Sequence, residues 1–247
     1  MTAGKIHIGT SGWSYKHWKG VYYPEKMKAT DWLKFFSKEF HTTEINTSFY
    51  HLPKPETVTH WVENVPRGFK FCPKISRYLT HMKKLHDPEE PLQRFFEVFA
   101  PAHKHLGPVL VQLPPSLKYN KEVAEHFFKV LKTDYRAFKF ALEVRHETWL
   151  EQGPIELMKK YKIAFVISQS GDRFPYEEFV TAKDIYVRFH GPDKLYASSY
   201  SEEMLRSFAD KFNAWQQDGH NVWAYFNNDL FAYALQNART LIKLLEA

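Results

Sequence analysis

The sequence predicts a parallel (β/α)8 barrel of the TIM type, on three observations. Eight short apolar runs, at 6–10, 43–46, 69–74, 109–113, 138–145, 163–168, 185–190 and 222–227, are separated from one another by helix-like or loop sequence. Strict alternation of strand and helix selects a parallel sheet, and eight repeats favour closure over an open one. The 247 residues also match the roughly 250 that one such barrel takes, with no flexible linker among them, so 1–247 reads as a single domain. An open doubly wound sheet is disfavoured because the first turn lacks the glycine fingerprint of a dinucleotide site.

Run 6–10 alternates little and is bounded by Gly9 and Gly12, as in a strand buried on both faces. After it comes a long loop holding Trp13, Tyr15, Trp18, Tyr22 and Tyr23. A helix then follows, capped by Thr30 or Asp31, with the apolar stripe Leu33, Phe36 and Phe40. Runs 43–46 and 69–74 lead to helices beginning near Pro55 and Pro91, and proline fits a first turn, where its missing N–H would lack a partner anyway. Run 109–113 stops at Pro114-Pro115 ahead of a helix over 120–131, and 138–145 precedes one over 155–161. The weakest helical signal, 176–179, follows run 163–168, which makes 163–184 the irregular unit of the barrel. Runs 185–190 and 222–227 open into helices over 202–217 and 230–245.

Aromatic residues at 17%, with frequent aliphatic ones, exclude a disordered chain. The lone Cys72 cannot form an internal disulfide, which fits a reducing, cytoplasmic setting, and no apolar segment precedes the first run to act as a secretory signal. No run approaches the roughly 20 apolar residues of a membrane span, so no membrane partner is expected. A formal charge of +6 mildly favours acidic partners, phosphates or nucleic acid among them. Oligomeric partners leave no mark in the sequence.

In a closed parallel barrel all strand C-terminal ends converge on one rim, so the polar residues that finish these runs would line one pocket. Residues two apart on a strand share a side, and four pairs have that spacing: Glu44 with Asn46, Glu143 with Arg145, Arg188 with His190, and Asn227 with Asp229. Burying such charges unpaired costs several kcal/mol, which a polar pocket would explain. A structural ion pair explains Glu143 and Arg145, taken alone, equally well. Lys74, Arg145 and Arg188 can hold a carboxylate or phosphate, so a small anionic molecule is the expected ligand. Glu44, Glu143, His190 and Asp229 are the groups able to exchange protons near neutral pH. Ser11 and Gln112 complete the rim.

Trp13, Trp18 and Tyr23 have flat faces suited to sugar rings or bases, although packing of the loop over the barrel mouth explains each of them as well. No cofactor is indicated. A divalent metal is disfavoured despite 13 histidines, because no His-Glu-x-x-His cluster appears and the basic strand ends repel a cation.

At these same positions the chain resembles the YecE-like proteins, the domain of unknown function 72. The resemblance rests on Gly9-Thr10-Ser11-Gly12-Trp13-Ser14-Tyr15 with Trp18 and Tyr23-Pro24, and on Glu44-Ile45-Asn46-Thr47-Ser48-Phe49-Tyr50 with Leu52-Pro53. It continues in order through Phe69-Lys70-Phe71 with Lys74, Thr80-His81, Gln112-Leu113-Pro114-Pro115 and Glu143-Val144-Arg145-His146 with Trp149. Arg188-Phe189-His190-Gly191, Tyr196, Tyr200 and Phe226-Asn227-Asn228-Asp229 complete it. It implies a TIM-type barrel with a polar, partly aromatic cavity at the strand C-terminal ends, to which Tyr15, Tyr196, Tyr200 and Asn228 would add binding contacts. Cys72 and Pro73 depart from the small or apolar residues usual before the lysine. The resemblance implies no activity.

Two functions fit. The leading one is an enzyme, of isomerase, lyase or hydrolase type, acting on a small anionic, hydroxylated compound. The other is a nucleic-acid-binding protein or phosphodiesterase in which aromatic residues stack on bases and basic groups follow phosphates.

Overall fold

The computed structural model describes residues 3–246. Eight parallel strands form the sheet: β1 (Ile6–Thr10), β2 (Thr42–Ile45), β3 (Lys70–Pro73), β4 (Val109–Gln112), β5 (Phe140–Glu143), β6 (Ala164–Gln169), β7 (Asp184–Phe189) and β8 (Asn221–Phe226). They lie in the order β3-β2-β1-β8-β7-β6-β5-β4. Closure between β4 and β3 comes from the pairs Phe71 with Leu106 and Lys74 with Leu110, with Ile75 N–H donating to the Leu110 carbonyl at 2.9 Å. The predicted barrel is therefore the observed one.

Around the barrel run α1 (Trp32–Phe36), α2 (Thr47–Tyr50), α3 (Pro55–Glu63), α4 (Glu89–Phe99), α5 (Lys121–Asp134), α6 (Gln152–Tyr161), α7 (Glu202–Gln217) and α8 (Tyr233–Glu246). Proline begins α3 as expected, and the side chain of Asn120 caps α5 by accepting from Val123 N–H. Two expectations fail. Neither Thr30 nor Asp31 caps α1 with its side chain; a tight turn over Ala29–Asp31 leads in instead, and the helix stops at Phe36 while Phe40 still stacks on Phe36 at 4.9 Å. Residues 176–179 form no helix. There the chain returns extended along β6, held where the Thr181 hydroxyl bonds to Phe165 N–H and the Ile163 carbonyl, and where Phe179 packs on Phe165. Tertiary contacts override a weak local signal at that point.

Alternate residues of each strand fill the interior in layers. At the N-terminal end His7 stacks on Trp223 at 3.9 Å, and Asp184 accepts from Trp223 Nε1 and pairs with Lys139 at 2.8 Å. Burial and the nearby Lys5 ammonium lower His7 to about 4, so the ring stacks uncharged. In the middle layer the Tyr225 hydroxyl lies 2.6 Å from Thr42 Oγ1 and 2.9 Å from Cys72 Sγ, a dry polar chain among Leu110, Ala141 and Val166. The ionic layer sits above this, at the C-terminal ends.

Gly9 sets how closely β1 approaches β2, since a Cβ there would lie 2.1 Å from the Thr42 carbonyl oxygen. Gly9→Ala should destabilise by about 3 kcal/mol or more through forced strand separation. Gly68→Ala, in the turn ahead of β3 with open space around the new methyl, should change stability by no more than about 0.5 kcal/mol. Urea unfolding of both variants measures the contrast, and equal effects would contradict it.

Candidate functional site

Strand β7 sends Tyr186, Arg188 and, just past its end, His190 inward. Arg188 is only 1% exposed, and its guanidinium forks onto Glu44: Nε donates to Oε1 at 2.8 Å and Nη2 to Oε2 at 2.9 Å. Its Nη1 donates to Glu143 Oε2 at 2.6 Å. Glu44 also accepts from the hydroxyls of Tyr186 and Ser11, so both of its oxygens are taken. Glu143 Oε1 accepts from Arg145 at 3.1 Å and from Ser168. Burial alone would raise the Glu143 carboxyl, but the guanidinium groups of Arg188 and Arg145 outweigh it and hold the group well below the usual carboxylate range. Burial likewise opposes the charge on Arg188, and Glu44 and Glu143 reverse that effect.

His190 is fully buried beside this network. Its Nε2 lies 3.3 Å from Glu143 Oε1 without hydrogen-bond alignment, while Nδ1 faces Asn227 Nδ2 at 3.1 Å. Burial and the Arg188 charge lower the ring to about 4, so it is neutral at pH 7.

Lys74, the next inward residue after Cys72, is set differently. Its Nζ donates to the neutral amide of Gln112 at 2.6 Å and lies 3.9 Å from the Phe49 ring centre. Among the described residues it forms no ion pair. Burial, then the charge on Arg188, lowers the amine to about 7. Asp229, in the turn after β8, accepts from Trp18 Nε1 at 2.7 Å and pairs with His17 at 2.9 Å. Burial outweighs both partners and pushes its carboxyl up to about 6.

A cleft of about 650 Å³ opens above these groups. Nine of the residues expected from sequence share its lining: Tyr15, Asn46, Lys74, Gln112, Arg145, Arg188, Tyr196, Asn227 and Asp229. Ser11, Trp13 and Glu44 line a neighbouring chamber of about 570 Å³, whose wall also includes Tyr15 and Asn46. Glu143 and His190 lie beneath the cleft with no exposure. Four expected contacts face elsewhere: Trp18 supports Asp229, and Tyr23 stacks on Trp32 while donating to the Trp13 carbonyl. Tyr200 accepts from Gly191 N–H and donates to Gln169, and Asn228 donates to the Ser198 carbonyl and Asn237.

The cleft also takes His17, Phe49, Tyr50, Arg77, His81 and Leu230, none of them singled out from sequence. Phe49, Tyr50 and His81 stand inside the family-like motifs, which offered a signal; His17 and Arg77 arrive on loops whose course no spacing encodes. Burial and the Lys74 charge lower His81 to about 4. Among the described residues no three His, Cys, Asp or Glu side chains converge so as to hold a metal ion, and no helix is long and apolar enough to cross a membrane.

Fold and cleft together define a TIM-type barrel with a cationic pocket over a self-neutralised ionic floor. The family profile described as "Protein of unknown function DUF72" matches residues 7–247, and the chain belongs to that family. It is 24% identical to the UPF0759 protein YecE of Escherichia coli (strain K12) over 237 residues, covering 86% of this chain and 82% of that one. The UPF0759 protein YunF of Bacillus subtilis (strain 168) is also 24% identical, over 271 residues, covering 98% and 95%. A crystal structure of a DUF72 family protein from Thermotoga maritima superposes with a TM-score of 0.87 at 27% identity, covering 98% of this chain and all of that one. One from Enterococcus faecalis gives 0.84 at 21% identity, covering 98% and 96%, and shares the fold.

Removing Arg188 would strand two buried carboxylates. Arg188→Met should cost about 3–5 kcal/mol, the cost typical of breaking a buried ion pair from one side. Adding Glu44→Gln and Glu143→Gln to it should recover a large part of the loss. Guanidinium unfolding of the single and triple variants reads this directly, and a triple variant no more stable than the single would refute the charge balance.

Proposed function

We propose that the cleft binds a small anionic, hydroxylated molecule and that the protein is an enzyme moving protons to and from it. The observation that carries this reading is Lys74, a buried amine at the cleft floor whose one hydrogen-bond partner among the described residues is a neutral amide. Arg188 spends its charge on Glu44 and Glu143, and Arg145 shares its own with Glu143. Lys74, backed by Arg145 and Arg77 at the cleft wall, is then the cation most available to a carboxylate or phosphate.

Proton handling shifts accordingly from the set expected in sequence. Glu143 is held ionised, both oxygens of Glu44 are occupied, and His190 is neutral and shielded. Lys74 at about 7 and Asp229 at about 6 are the groups able to act both as acid and as base near neutral pH. The Asp229 and His17 pair also offers an acceptor and a donor side by side. Such groups suit isomerisation, elimination or hydrolysis; proton transfer next to an anionic group is common to all three.

The test is calorimetric titration of a panel of phosphorylated and carboxylated hydroxy compounds, with deuterium exchange into whichever one binds. Lys74→Met should weaken binding at least tenfold and abolish exchange. The ammonium of Lys74 is present below its pKa and lost above it, so wild-type affinity should be greatest below pH 7 and fall as pH rises through that value. Affinity independent of both Lys74 and pH would overturn the reading. If single-stranded oligonucleotides bound instead, with affinity dropping steeply in salt, the nucleic-acid reading would replace it.

A further inference from the structure

The chamber next to the cationic cleft differs from it in chemistry. Trp13, Trp61 and Leu33 wall it, with Trp13 and Trp61 edge to face at 5.4 Å and 88°. Trp13 in turn packs on Phe71, so the wall is backed by the barrel's outer core. Most of this surface is apolar. The two spaces adjoin: Tyr15, Asn46 and Tyr50 line both. Tyr50 is exposed at the junction, and Tyr15 is fixed there by donating to the Ser11 carbonyl. Asn46 donates through Nδ2 to that same carbonyl at 3.1 Å, and its buried Oδ1 has no donor among the described residues. A buried acceptor left unpaired is costly, and a ligand spanning both spaces with an N–H or O–H would offer the missing partner.

We infer that the molecule bound here is an anion bearing a flat apolar ring, the ring seated in the chamber against the wall formed by Trp13, Trp61 and Leu33 and the charged group at Lys74. This rests on the anionic reading above and adds the substrate class to it. A small aliphatic anion would occupy only the cleft and leave the largely apolar chamber beside it unfilled. A ring carried on the anion would fill the chamber and cover what remains exposed of its aromatic wall, and such a wall favours aromatic over aliphatic occupants.

Phenyl phosphate and methyl phosphate carry the same charge and differ in the ring, which makes them the probes. Phenyl phosphate should bind at least tenfold more tightly than methyl phosphate to the wild-type protein. Trp61→Ala should remove that preference and leave methyl phosphate affinity unchanged, while Trp61→Phe, which keeps an aromatic wall, should retain it. Lys74→Met should weaken both phosphates together. Equal affinities of the two phosphates for the wild type would overturn the ring inference and leave the anionic reading standing. Indifference of both phosphates to Lys74→Met would overturn the anionic reading, and the ring inference with it.

Discussion

Everything at the C-terminal end of this barrel depends on one buried guanidinium. Arg188 reaches across from β7 to Glu44 on β2 and Glu143 on β5, so three strands separated around the ring are tied through one side chain. The planar fork suits this task, since it can serve one carboxylate with two parallel bonds and still direct a third N–H to another. Two carboxylates balance the guanidiniums of Arg188 and Arg145. Arg188, Arg145, Glu44 and Glu143 tolerate burial because each of the four has an opposite charge within hydrogen-bonding distance.

That balance leaves Lys74 apart. It sits in the same low-dielectric layer, near Arg188, with Gln112 and the face of Phe49 as neighbours instead of a carboxylate. Desolvation and a like charge both disfavour its ammonium form. Asp229 is displaced in the opposite direction from its own ordinary value, because it too is partly withdrawn from water. Under the proposed function, a lysine lowered and an aspartate raised toward the same pH, on one cleft, are a more economical basis for proton transfer than the ion-paired glutamates beneath them. The chamber bounded by Trp13 and Trp61 supplies apolar surface alongside.

Much of this was legible in the sequence, for identifiable reasons. Short apolar runs ending on polar or charged residues marked all eight strands, and period two put Glu44 with Asn46 and Arg188 with His190 on the inward face. Period two does not tell which inward charges meet across a barrel. Arg188 read as a substrate clamp because its partners lie 144 and 45 residues away, beyond any local pattern. The aromatic loop after β1 was ambiguous for a related reason: Trp18 and Tyr23 bury themselves against Phe36 and Trp32 while Trp13 lines a cavity, and the sequence writes all three alike. The missing helix over 176–179 and the arrival of Trp61, from α3, and of His17 at the two cavities likewise come from tertiary packing.

The most direct measurement is the titration of the Lys74 side-chain amine itself, followed by heteronuclear NMR with Lys74→Met to assign the signal. A midpoint near 7, several units below that of the exposed lysines, is the result required by a buried amine without a carboxylate partner. A midpoint near 10.5 would mean that Lys74 is solvated or ion-paired, and the division between a neutralised floor and an available amine would be wrong.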